Sequence, residues 1–94
     1  MNVISDLKKP GKRYSICARA IGIKNKTYSD KKLQEGFLED HTGKIKFKVW
    51  NDAKIELLQE GIIYEITKAR LGVYKNNLEL NFDSQTERLS ENGS

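Results

Sequence analysis

The 94-residue chain carries 17 Lys and Arg against 13 Asp and Glu, a net charge of +4 with a pI near 9.2; this suits one domain with a modest core and leans toward an anionic partner. Cys17 and His41 are its only cysteine and histidine, which excludes a disulfide framework and an ordinary zinc or iron-sulfur site, so no cofactor is expected and a reducing, intracellular setting is, cytoplasmic in a prokaryote or archaeon. No apolar run nears the roughly 18 residues of a membrane span, and no membrane partner is expected.

Ile4 and Leu7 read as apolar anchors of an N-terminal segment that ends at the turn Pro10-Gly11. The first strand runs from Tyr14 to Ile23, with Ile16, Ala18 and Ala20 on one parity and Ser15, Cys17 and Arg19 on the other; Gly22 marks a bulge or bend. Residues 24 to 32, KNKTYSDKK, are basic and unpatterned, and read as a loop carrying Lys26 and Tyr28. Leu33 to Glu39 is the second strand, and Asp40-His41-Thr42-Gly43 a tight turn in which the Asp40 side chain serves the backbone.

The third strand is the most informative segment. In Gly43-Lys44-Ile45-Lys46-Phe47-Lys48-Val49-Trp50, Ile45, Phe47 and Val49 point one way while Lys46, Lys48 and Trp50 point the other. Asn51 or Asp52 then caps a short helix containing Ile55, Leu57 and Leu58 and ending at Gly61. Ile62 to Tyr74 is a long fourth strand with a bulge near Lys68 that brings Leu71 to the core. Lys75-Asn76-Asn77 is a turn, Leu78, Leu80 and Phe82 alternate in a fifth strand, and the polar residues from Asp83 onward fray.

Five strands with a helix between the third and fourth predict an all-β, five-stranded Greek-key OB-fold barrel occupying the whole chain as one domain, with its core over about residues 4 to 89. Such a barrel binds oligonucleotides on strands two and three, with the loops carrying Tyr28 and Tyr74-Lys75 closing over them.

Each candidate has an ordinary reading beside the functional one. A lone tryptophan is often core, but parity with Lys46 and Lys48 favours Trp50 as a base-stacking platform and the two lysines as phosphate contacts. Tyr74 either caps the barrel end or stacks on a base beside Lys75. Phe37 faces the same groove if Leu38 faces the core, and a bulge reverses this. Arg19 lies opposite the core parity, whereas an arginine inside the barrel would need a buried carboxylate. Arg70 reads as a solvated charge, Cys17 as a small hydrophobe and His41 as a turn residue in water. No nucleophile with a paired base can be assembled, so an enzyme is not expected.

The segments Ile4-Ser5-Asp6-Leu7, 14 to 19 (YSICAR), 38 to 43 (LEDHTG), Val49-Trp50 and Leu78-Glu79-Leu80 resemble the replication protein A family of OB-fold domains, in particular the DNA-binding domains of the large subunit and their archaeal relatives. The resemblance implies base stacking at Trp50 and Tyr74, a groove arginine at Arg19, and a basic clamp over residues 24 to 32. Some family members carry a further aromatic early in strand two, where this chain has Gln34. It also implies single-stranded DNA as ligand, bound with little sequence preference in replication, recombination or repair, and other OB-fold domains or subunits of a replication complex as partners. The alternatives are an RNA-binding OB-fold and a protein-docking OB-fold whose cationic face receives an acidic peptide.

Overall fold

The computed structural model describes residues 1–28 and 31–92, with the backbone alone for 27, 28, 31, 32 and 90–92. A single 3-10 turn, Ile4–Asp6, precedes six strands: β1 Arg13–Tyr28, β2 Lys31–Asp40, β3 Gly43–Val49, β4 Ile63–Tyr74, β5 Asn77–Phe82 and β6 Glu87–Asn92. β1 pairs with β2 on one side and β4 on the other, and a parallel β3–β5 pairing closes the sheet in the order β1-β2-β3-β5-β4-β1. This is the expected five-stranded barrel. Closure removes the sheet edges that would otherwise invite association.

The alternation read from the sequence fills the barrel. Ile16, Ala18, Ala20, Leu38, Ile45, Phe47, Val49, Tyr64, Ile66, Leu71, Leu80 and Phe82 are buried, and the Phe47 and Phe82 rings stack with centroids 5.4 Å apart. Ile4 and Leu7 join the same buried cluster. Asp40 organises the β2–β3 turn and the N-terminal segment together, accepting from the Thr42 hydroxyl and backbone N–H, from Gly43 N–H, and from Ile4 N–H at 2.8 Å. The bulge in β4 is at Lys68, whose φ is +60°, and Leu71 reaches the core beyond it.

Four expectations are corrected. Residues 24 to 28 and 31 to 32 extend β1 and β2 as an antiparallel ladder, with register Lys24↔Glu35 through Tyr28↔Lys31, where the sequence reading has a loop. Backbone pairing carries the ladder past the bulge, with the Lys26–Glu35 ion pair at 2.9 Å and a hydrogen bond from Gln34 Nε2 to Asn25 Oδ1 at 3.1 Å beside it. Gly22, at φ +61°, forms the bulge where β1 leaves the barrel, and Glu60 accepts from Gly22 N–H and Ile23 N–H at 2.9 and 3.0 Å.

The short helix between β3 and β4 is absent. Residues 50–62 form an irregular crossover, because a stretch this short nucleates helix poorly and finds better partners in the barrel. Gln34, 1% exposed, accepts from Leu58 N–H at 2.9 Å and donates to Leu58 O at 2.8 Å. Gln59 N–H donates to the Tyr64 hydroxyl, and Leu58 is itself buried. The tail also does not fray at Asp83: β6 pairs with β4 from Ile63↔Asn92 to Thr67↔Glu87. Cys17, read as a small hydrophobe, is exposed on the outer parity of β1.

Candidate nucleic-acid interface

Register aligns the outward side chains into rows that cross the sheet. Arg70, Asn81, Lys48, Glu35 and Lys24 form one row, and Gly72, Glu79, Lys46, Phe37 and Ile21 the next. The face is therefore basic with aromatic residues interleaved, as the alternation of β3 requires.

Trp50 follows β3 and is 40% exposed, while Tyr74 ends β4 and is 51% exposed. The Lys48 ammonium lies 5.0 Å from the Trp50 ring centroid and 5.3 Å from that of Tyr74. Residues far apart in the chain thus share one cation. Lys75 lies over the same tyrosine at 5.4 Å, in a two-residue hairpin turn whose Lys75 and Asn76 both take positive φ, +50° and +66°, the twist that suits adjacent antiparallel strands. The indole N–H of Trp50 donates to Asn81 Oδ1 at 2.8 Å, and Asn81 Nδ2 donates to the Arg70 carbonyl at 3.4 Å. A hollow of about 620 Å³ beside the two rings is lined by Arg70, Gly72, Glu79 and Asn81 among others.

The other predicted residues fall in different places. Phe37 does face outward, 38% exposed, because the β1–β2 bulge lies beyond it toward the arm and leaves the β2 parity undisturbed. Lys44, which the sequence reading passed over, lies 4.8 Å over its ring. Lys46 is half-buried on the same face and pairs across the strands with Phe37 and Glu79. Lys26 forms an ion pair with Glu35 at 2.9 Å, and this bond, with further attraction from Lys46 and Lys48, holds the Glu35 carboxyl below the usual range against a smaller opposing effect of burial. Arg19 is on the outer parity, but its guanidinium donates to the Gly61 carbonyl at 2.6 Å, which directs it toward the β3–β4 crossover and away from Lys48. Tyr28 is in β1, and its side chain lies outside the described residues.

Asn81, Gly72 and Glu79 are the groove residues that sequence reasoning missed. The signal was present: once Leu80 and Phe82 are core, Glu79 and Asn81 must face outward. A Cβ on Gly72 would lie 2.8 Å from Asn81 Nδ2, so glycine leaves the space that Asn81 uses to hold Trp50.

Among the described residues no helix is long and apolar enough to cross a membrane. No curated protein matches the chain significantly. Among solved structures, the OB domain of a Methanosarcina mazei protein is 29% identical with a TM-score of 0.80, over 93% of this chain and 81% of that one. The second OB-fold domain of replication protein A from Methanococcus maripaludis is 25% identical with a TM-score of 0.65, over 95% and 94%. A chain of a replication protein A heterotrimer bound to single-stranded DNA is 30% identical with a TM-score of 0.73; the match spans 96% of this chain and 24% of that one. The family model described as "Single-stranded DNA binding protein Ssb-like, OB fold" matches residues 12–88, and with most of the barrel inside that match the chain belongs to this family of OB-fold single-stranded DNA-binding domains, of the replication protein A type.

Proposed function

We propose that the outer face of β2, β3, β4 and β5 binds single-stranded DNA by stacking bases on Trp50 and Tyr74 while Lys46, Lys48, Lys75 and the more distant Arg19 and Lys26 track the phosphates. Phe37 and Tyr28 are further candidates for base stacking. The observation that carries this reading is the Lys48 ammonium lying over both rings: the platforms are a single side chain apart, and a cation is held at the point where a base-bearing backbone must pass. Stacking is tolerant of sequence because every base has a π-face, so the platform itself discriminates little.

The domain acts as one binding unit with no reaction of its own, in an intracellular process of replication, recombination or repair. It works beside other OB-fold domains, in one chain or one complex, where each bound unit raises the effective concentration of the next. The test is quenching of the single Trp50 by oligo-dT, oligo-U and an acidic peptide of equal charge. Saturable quenching by oligo-dT is expected. Tighter binding of oligo-U would replace this reading with RNA recognition, and binding of the peptide alone would replace it with protein docking.

A further inference from the structure

We infer that Glu79 gives the groove a base preference, selecting a base that presents amino hydrogens, guanine best, over thymine at the position beside Trp50 and Tyr74. The inference rests on the single-strand reading above and goes beyond it, since stacking alone provides no such choice.

Glu79 projects from β5 on the outer parity, between Gly72 of β4 and Lys46 of β3. It is 6% exposed, an unusual depth for a carboxylate. Among the described residues its side chain makes no hydrogen bond or ion pair, yet no buried side-chain oxygen or nitrogen among them lacks a partner, so its carboxylate oxygens must open onto the surface. The surface they reach is the hollow that Trp50, Tyr74, Asn81 and Arg70 also line. Gly72 contributes no side chain to cover them from β4.

An unpaired carboxylate at the floor of a cationic groove repels phosphate and accepts hydrogen bonds only. A strand must therefore enter with bases inward and phosphates toward the lysines at the rim. A base stacked on either ring presents its edge to Glu79. Guanine offers two neighbouring donors, N1–H and the N2 amino group, to the two carboxylate oxygens; cytosine and adenine offer one amino group; thymine presents two carbonyl oxygens flanking a single N–H. Pairs of this bidentate kind discriminate by about 1 to 3 kcal/mol, roughly 5- to 160-fold.

The experiment is a fluorescence titration of the whole chain with oligo-dT, an alternating dT/dG oligonucleotide and its dT/deoxyinosine counterpart, all of one length. The dT/dG strand is expected to bind about 5- to 160-fold tighter than oligo-dT, and inosine, lacking the N2 amino group, to fall between them. Glu79→Gln, which is isosteric and carries both a donor and an acceptor, should bring the three affinities together while its melting curve stays that of a folded domain. Equal affinities in the unaltered protein, or a preference that survives Glu79→Gln, would overturn the inference. Inosine alone decides against it if it binds as tightly as guanine, whatever the fate of the variant. Binding to none of the three would overturn the single-strand reading itself, and this inference with it.

Discussion

The Trp50 indole N–H is anchored 2.8 Å from Asn81 Oδ1, so the orientation of the exposed ring is set from β5 rather than by its own strand. Trp50→Ala is expected to weaken oligo-dT binding by about 1 to 3 kcal/mol and to leave thermal stability nearly unchanged, since 40% of the residue is already exposed. A loss of about 3 kcal/mol or more in folding stability, the cost of truncating a core aromatic, would show the ring to be structural. Asn81→Ala should weaken binding by less, about 0.5 to 1.5 kcal/mol, the net value of one hydrogen bond, with faster depolarisation of tryptophan fluorescence as its signature.

Gly72→Ala separates the anchor from the fold. Its Cβ would press on the far end of the Asn81 side chain and not on backbone, so Asn81 must swing aside and release the indole. The expected outcome is a melting temperature within about 2 to 4 °C of the parent, the equivalent of a few tenths of a kcal/mol in a domain this size, together with binding weakened to the level of Asn81→Ala. Additive losses in the double variant would show that the two residues act independently.

Gly36→Ala tests the opposite case. There the new Cβ would lie 3.0 Å from Ile21 O and 3.0 Å from Phe47 Cε1, both fixed in the closed barrel, and the variant should lose about 1 to 3 kcal/mol in urea denaturation, as overpacked sites do. An unchanged midpoint would mean that β1 and β2 can separate locally at no cost.

Much of this groove is legible in the chain because β3 alternates without interruption: Ile45, Phe47 and Val49 must go inward, and Lys46, Lys48 and Trp50 then have one place left. The Asp40 turn and the Lys68 bulge are equally local. The arm of β1 and β2 was not legible, since residues 24 to 28 carry no hydrophobic period. The missing helix had the opposite problem: Asn51, Ile55 and Gly61 fit a helix, but Gln34 and Tyr64, distant in sequence, outbid its short backbone ladder with bonds to Leu58 and Gln59. Asn81 and Glu79 acquire their roles only from cross-strand register, which no single segment displays.

The acid limit of stability should trace to Asp83 and Asp40. The hydrogen bonds from Arg13 lower the Asp83 carboxyl, against a smaller opposing effect of burial. At Asp40 burial is the largest single influence and raises the value, but the bonds from Thr42, Ile4 and Gly43 together outweigh it. Both folded values lie below the unfolded range near pH 4, so their stabilisation is complete above about pH 4 and is lost as pH falls through the depressed values. Urea midpoints should hold from pH 7 to 5 and drop toward pH 3, and Asp83→Asn should start lower and show a shallower drop. The same slope in the variant would assign the acid transition elsewhere.

Salt and strand length measure the electrostatic share. Contact with three to five phosphates predicts a loss of roughly 20- to 130-fold in affinity for oligo-dT between 50 and 200 mM salt, from a single-strand slope of about −0.7 per contact. Two stacks set against strand ordering leave a dissociation constant on the order of micromolar, about −8 kcal/mol, with a site near the low end of the roughly 4 to 16 nucleotides that one OB-fold covers. A flat salt response, or equal affinity for duplex of the same length, would remove the groove model.

The parallel pairing of β3 with β5 also dictates when the protein can come into being. On the side away from β2, Lys46 through Val49 pair with Glu79 through Phe82, and Arg13 through Arg19 pair with Ile63 through Arg70, so neither seam can form from neighbouring residues. A nascent chain holding β1 to β4 has hairpins and an exposed apolar trough, with Phe47 still lacking the ring of Phe82. Folding dominated by such distant pairings belongs to the slow end of small domains, on the order of milliseconds to seconds. The last strand of the barrel to be synthesised is then the one that turns an open sheet into a groove, and Glu79 and Asn81 arrive with it: the wall cannot close without also bringing the side chains that line it.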